Sequence, residues 1–233
     1  MKLQDKVALI TGGGRGIGKA IALAYAHEDA KIAICARTPS EIEQTAGQLR
    51  SLGAECEAWA CDVSVEEPVS ELVANVQKKF GRIDILVNNA GVMTRPVPVT
   101  QIEAKKWDYT MNVNLRGPFL VTRAVLPMMI RQKSGSIINV SSAIGRGAYA
   151  NFAAYATSKW GLEGFTQTVA AEVRSLGIRV NSVEPGTVST KLSGFMGSKP
   201  ESVTAVFVFL ASDEAKGVTG KMLSSSGWKS QVR

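Results

Sequence analysis

The chain has 233 residues, 45% of them hydrophobic and 20% charged, with lysines and arginines in excess for a net charge of +7. That length supports one well-buried core, so a single domain over 1–233 is expected, and no apolar stretch is long enough to span a membrane. Three cysteines without Cys-x-x-Cys spacing exclude a disulfide framework, and basic residues scattered rather than interleaved with aromatics set nucleic acid aside. No charged segment followed by an apolar run opens the chain, so the expected compartment is the cytoplasm.

A first strand is expected at 7–10, where Val-Ala-Leu-Ile forms an apolar run, and a helix at 17–28. Between them lies Thr11-Gly12-Gly13-Gly14-Arg15-Gly16-Ile17-Gly18. Glycines there permit a tight turn and close backbone approach, and the helix start offers unpaired N–H groups to a diphosphate. The spacing is Gly-x-x-x-Gly-x-Gly, not the commoner Gly-x-Gly-x-x-Gly. His27, the chain's one histidine, falls near the helix end and reads as a surface residue. A second strand at 31–36 includes Cys35, a buried free thiol by its apolar neighbours. Where this strand ends, folds selective for NAD carry an acid for the ribose 2′-hydroxyl. Here the sequence is Ala36-Arg37-Thr38, without a carboxylate. The Arg37 guanidinium suits a phosphate and Arg15 approaches the same place, so NADP(H) is expected in preference to NAD(H). Thr38-Pro39-Ser40-Glu41 has the pattern of a capping box opening a helix at 40–51.

Further strands are expected at 55–60, 83–88, 136–141, 179–184 and 221–224, and helices at 66–79, 101–132 and 152–176. Such alternation is the pattern of βαβ units, and the fold class is α/β: a doubly wound parallel sheet with helices on both faces. In the helix at 152–176, Tyr155 and Lys159 stand four residues apart and share a face. An ammonium beside a phenol favours the phenolate and lowers a pKa of about 10, making the tyrosine a proton donor and acceptor near neutral pH. No His/Cys/Asp cluster has metal-ligand spacing, so no metal is expected. The segment 203–210, Val-Thr-Ala-Val-Phe-Val-Phe-Leu, reads as a helix with almost no polar face. An apolar surface of that kind marks an interface, so a homotetramer is expected, with a dimer second.

Together these motifs resemble the short-chain dehydrogenase/reductase family, and more closely its members similar to 3-oxoacyl-acyl-carrier-protein reductases. The resemblance also runs through Cys61-Asp62-Val63, Asn88-Asn89-Ala90-Gly91, Asn112-Val113-Asn114-Leu115, Ser141-Ser142 and 181–186, nearly the whole chain. It implies a Rossmann fold with a cofactor half at about 1–135 and a catalytic half at about 136–233. It implies a catalytic tetrad. Tyr155 is the acid/base, and Lys159 lowers its pKa while bonding the nicotinamide ribose. Ser142 holds the substrate oxygen, and Asn114 supports a water relay to Lys159. Ser141 is the neighbouring candidate, and the offset of 13 residues from the tyrosine selects Ser142. Gly12, Arg15, Gly16, Ile17, Gly18 and Arg37 form the phosphate-binding end. By the same resemblance Asp62 accepts from the adenine amino group with Val63 beside the ring, and Asn89, Ala90 and Gly91 line the adenosine ribose. Pro185, Gly186, Val188 and Thr190 hold the nicotinamide end.

The implied activity is reversible reduction of a ketone or 3-oxoacyl carbonyl, with hydride from the nicotinamide and a proton from Tyr155. The expected partner is a small carbonyl compound or alcohol, neither nucleic acid nor membrane. Sugars, steroids and other secondary alcohols are the alternative substrates, and a non-catalytic NADP-binding sensor is the alternative class. Three departures from the family pattern stand out. Only nine residues separate Thr190 from Pro200, where relatives carry a longer, partly helical lid. Glu184 replaces a small residue before Pro-Gly, and Ser225-Ser226-Gly227-Trp228 replaces the usual Gly-Gly.

Overall fold

Runs of Val, Ile, Leu and Ala build a seven-stranded parallel sheet in the computed structural model, which describes residues 1–232. The strands are β1 (Val7–Thr11), β2 (Lys31–Ala36), β3 (Cys56–Ala60), β4 (Ile85–Asn88), β5 (Gly135–Val140), β6 (Ile178–Glu184) and β7 (Met222–Ser224). Their spatial order is β3-β2-β1-β4-β5-β6-β7, and every pairing is parallel. This is the doubly wound Rossmann arrangement. Strand order reverses between β1 and β4, which opens a crevice beyond the carboxyl ends of the strands.

The helices are α1 (Gly16–Ala26), α2 (Pro39–Ser51), α3 (Glu66–Phe80), α4 (Ala104–Met111), α5 (Gly117–Gln132), α6 (Ala153–Val173), α7 (Ala205–Ala211) and α8 (Trp228–Gln231). Successive strand residues point to opposite faces, so β1 feeds two cores. Ala8 and Ile10 join Ile21 and Tyr25 of α1, Leu49 of α2 and Phe207 of α7. Val7 and Leu9 join Leu72 of α3, Val121 of α5 and Val169 of α6. With both faces covered, the strands read as apolar runs rather than alternating ones. Among the described residues no helix is long and apolar enough to cross a membrane.

Three sequence expectations are corrected here. The single helix at 101–132 is instead α4, a π-helical turn at Asn112–Arg116, and α5. Pro118 has no N–H to give the Asn114 carbonyl, and the wider turn falls where that bond is missing. The capping box at 38–41 does not form, because Thr38 makes no side-chain cap bond and Glu41 pairs with Arg15. Pro39 does occupy the first turn of α2, as expected. Finally, 203–210 is no exposed patch. Val206, Phe207 and Leu210 are buried, and the Phe207 carbonyl accepts from the Tyr25 hydroxyl at 3.0 Å. Phe209 packs on Trp228 of α8 with ring centres 4.5 Å apart. The helix is apolar all round because the sheet covers one side and α8 another.

Candidate active site

The crevice holds a cavity of about 480 Å³ whose lining passes from the end of β2 to the ends of β5 and β6. At its centre Thr11 ends β1, and its hydroxyl accepts from the Asn89 and Ala90 N–H groups, each at 3.0 Å. The Asn89 side chain donates to the Thr11 and Gly12 carbonyls at 2.8 and 3.1 Å. Its amide nitrogen braces the glycine turn, and Asn89, Ala90 and Gly91 all border the cavity. A Cβ on Gly12, at φ 65°, would meet that same amide at 2.8 Å, and one on Gly18 would run into the Gly12 carbonyl. Gly18 thus lies beneath the cavity rather than on it. No side chain caps α1, so its first N–H groups are unpaired where Gly16 and Ile17 border the cavity. Bare backbone and free donors fit a diphosphate.

Arg37 is exposed at the cavity edge, its guanidinium 5.6 Å from the centre of the Tyr109 ring. Arg15 makes an ion pair with Glu41 at 2.9 Å, and both border the cavity. A carboxylate therefore stands at this end after all, brought in by the first turn of α2. No local pattern announces it, because Glu41 is twenty-six residues from Arg15. Asp62 borders the cavity, with one carboxylate oxygen accepting from the Ser64 N–H at 2.9 Å and its hydroxyl at 2.6 Å. Val63 is buried beside it.

At the other end, Tyr155 and Lys159 occupy the first two turns of α6 and both border the cavity. Ser142, just beyond β5, borders the cavity beside Tyr155, and its hydroxyl accepts from the Ile144 N–H at 3.4 Å. Ser141 is buried, its hydroxyl turned toward Gly145 without a partner. Lys159 donates to the Val140 carbonyl at 2.8 Å, with its ammonium 5.7 Å from the Tyr155 ring centre. Burial pushes Lys159 down to about 8, partly offset by the Glu163 carboxylate. Burial also pushes the Tyr155 phenol up, opposed by the nearby Ser142 hydroxyl. The expected lowering of Tyr155 by Lys159 is thus reversed. With the ammonium held to the Val140 carbonyl, burial of the phenol sets the direction.

Asn114 does not border the cavity. Its amide accepts from the Val92 N–H and donates to the Val92 carbonyl, both at 2.8 Å, and donates to Ser158 at 3.1 Å. It pins the loop after Gly91 against α6 and reaches the neighbourhood of Lys159 only through Ser158. Pro185, Gly186, Val188 and Thr190 border the cavity as expected, whereas Glu184 is half-buried and does not.

The short segment after Thr190 is a clip. A 3-10 turn, Lys191–Ser193, is closed by a capping box between Thr190 and Ser193, and Val188 pairs with Ser198. Its tip leaves Leu192, Phe195 and Met196 exposed, and Leu192 and Met196 border the cavity. Met93 and Phe152 also line it. None of these four was anticipated, since isolated apolar residues in loops carry no pattern.

Fold and site define a dinucleotide-binding α/β protein. The family model described as short chain dehydrogenase matches residues 6–201. The 3-oxoacyl-acyl-carrier-protein reductase FabG of Thermotoga maritima is 38% identical, covering 97% of this chain and 98% of that one. Two solved structures are each 30% identical over 96% of this chain. Levodione reductase has a TM-score of 0.92 over 96% of its length, and NAD+-bound xylitol dehydrogenase 0.91 over 98%. The chain belongs to the short-chain dehydrogenase/reductase family, and within it is similar to 3-oxoacyl-acyl-carrier-protein reductases. It is an oxidoreductase that interconverts a carbonyl and an alcohol with a nicotinamide cofactor.

Proposed function

We propose that the protein is an NADP(H)-dependent reductase of a ketone or 3-oxoacyl carbonyl, reversible as a secondary-alcohol dehydrogenase. One observation carries the reading. Tyr155 stands where two cavities meet, with Ser142 on the lining of the first and Lys159 one helical turn behind. When bound, the nicotinamide supplies or takes the hydride. Tyr155 gives its proton to the carbonyl oxygen, and burial keeps the phenol protonated for that role. Ser142 holds the same oxygen as negative charge develops on it. Lys159 bonds the nicotinamide ribose, and Asn114, through Ser158, supports a water relay behind it.

Arg37, with no carboxylate partner among the described residues, and Arg15 across the turn, paired with Glu41, support NADP(H) over NAD(H). Similarity to the Thermotoga reductase supports 3-oxoacyl thioesters, and the names of the two solved relatives put levodione and xylitol beside them. Loss of NADPH absorbance on that panel tests the reading. Turnover of a thioester or ketone is expected; tight NADPH binding without any turnover would leave a sensor instead.

The two halves, 1–135 and 136–233, act as one unit in the cytoplasm within a homotetramer, or second a dimer. With 203–210 in the core, support for assembly comes from Phe119 and Ile130 of α5 and Trp160 of α6, all exposed. Light scattering is expected to give a multiple of the 24.8 kDa chain mass. A monomer with intact turnover refutes it.

A further inference from the structure

Beyond Tyr155 lies a second cleft of about 410 Å³, which shares Met93, Phe152 and Tyr155 with the cofactor cavity. A molecule presenting its carbonyl to Tyr155 from the side away from the cofactor must extend into this cleft. Its walls are the loop after Gly91, the start of α4 and the segment before α6. The Val97 N–H bonds the Asn151 carbonyl at 3.1 Å, which fixes two of these walls to each other. Pro96 and Pro98 stiffen the same loop.

The charge of the cleft is one-sided. Arg95 and Lys106 line it, and among the described residues neither has a carboxylate within 4.0 Å. The one acid in the lining, Glu103, is bonded to Lys105 at 2.8 Å. Gln101 and Asn151 add neutral donors, and Ile102 and Phe152 an apolar wall. Two cations without an ion-pair contact, beside a partly apolar wall, favour an anion in the cleft, and a guanidinium binds two oxygens of one group.

We propose that this cleft is the substrate subsite and that it selects carbonyl compounds bearing an anionic oxygen group, anchored by Arg95 and Lys106. The inference rests on the reductase reading above. The reaction is unchanged by it: hydride adds to the carbonyl carbon, the Tyr155 proton goes to the oxygen, and the reduced cofactor is oxidised. The anion can be the carboxylate of an oxo acid or the phosphate of an acyl carrier, and paired substrates separate the two.

The test compares kcat/KM for 4-oxopentanoate against its methyl ester, and for acetoacetyl-coenzyme A against acetoacetyl-N-acetylcysteamine. Wild type and the Arg95→Ala, Lys106→Ala double variant are assayed at low and high salt. About a tenfold preference for the charged member of one pair is expected, lost in the double variant while the neutral member changes less than twofold. A preference in the first pair assigns the anchor to a carboxylate, and in the second pair to a phosphate. Equal rates for charged and neutral members, or a preference that survives the double substitution, overturn the subsite but leave the reductase standing. Absence of turnover on all four returns the reductase reading to the wider panel above. Calorimetry of 4-oxopentanoate and its ester on NADP+-loaded protein then still reads the anchor, and equal affinities sink it.

Discussion

Replacing Lys159 by Met separates the cost of burying an ammonium from its use. In the folded protein Lys159 sits 5% exposed with its pKa lowered from 10.5 to about 8, first by burial. Its proton is held roughly 300-fold less tightly than in the unfolded chain, a cost of about 3 kcal/mol at 1.36 kcal/mol per tenfold. Met matches the stem without the charge but forfeits the bond to the Val140 carbonyl, worth about 1 kcal/mol. Cofactor-free Lys159→Met is therefore expected to be more stable than wild type by about 2 kcal/mol at pH 7, or roughly 4–8 °C in Tm for a chain of this size. The sign follows from the proton count. Because the folded pKa lies below the unfolded one, the unfolded chain binds more protons between about pH 8 and 10.5, and wild-type stability rises with pH across that window. Below pH 8 the full penalty is present; above 10.5 it is gone, and the variant becomes the less stable by the lost hydrogen bond. Urea unfolding of both proteins from pH 6 to 11 reads the difference, with other titrations cancelling. A gap that stays constant over that range, or a variant already weaker at pH 7, refutes the argument.

Three further outcomes are expected. Tyr155→Phe keeps the ring but removes the proton, so NADPH binding is retained and turnover drops roughly a hundredfold or more; a variant within a fewfold of wild type removes Tyr155 from the acid/base role. Arg37→Asp shifts the Kd ratio toward NADH by about 1–3 kcal/mol, whereas Glu41→Gln, which releases Arg15, shifts it severalfold toward NADPH; unmoved ratios place both outside the phosphate's reach. Phe207→Ala costs about 3–5 kcal/mol in urea unfolding, because the ring is fully buried in the chain's own core. A loss below about 1 kcal/mol contradicts that placement.

Every strand was legible to within two residues; the central ones, such as Val7 to Ile10, are buried on both faces and so lack any competing helical period. The pairing of Tyr155 with Lys159, and of both with Ser142, was legible from spacing and resemblance. What escaped depends on neighbours distant in sequence. Helix α7 is as apolar as an interface helix, and only Tyr25 and Trp228 show that its other sides are covered. Glu41 has the right offset for a cap, yet Arg15 is the stronger partner once α2 lies against the glycine turn. The break at Asn112–Arg116 was written in Pro118, but a proline two residues into a helix is equally at home at a new start, and α5 uses it as one. The direction of the Tyr155 pKa follows from burial, which no motif encodes.

The clip between Thr190 and Pro200 has a kinetic consequence. A swinging cover needs hinge residues at both ends, but here the Val188–Ser198 pairing fastens the base and the Thr190–Ser193 box fastens the turn. Without a cover to open, release of bound substrate is expected to be fast beside the chemical step. Little commitment to the forward step accumulates, so the bond-breaking event is not masked by slower opening. Deuterium at the transferred position of the cofactor is expected to slow kcat and kcat/KM by the same factor, the intrinsic isotope effect showing through both.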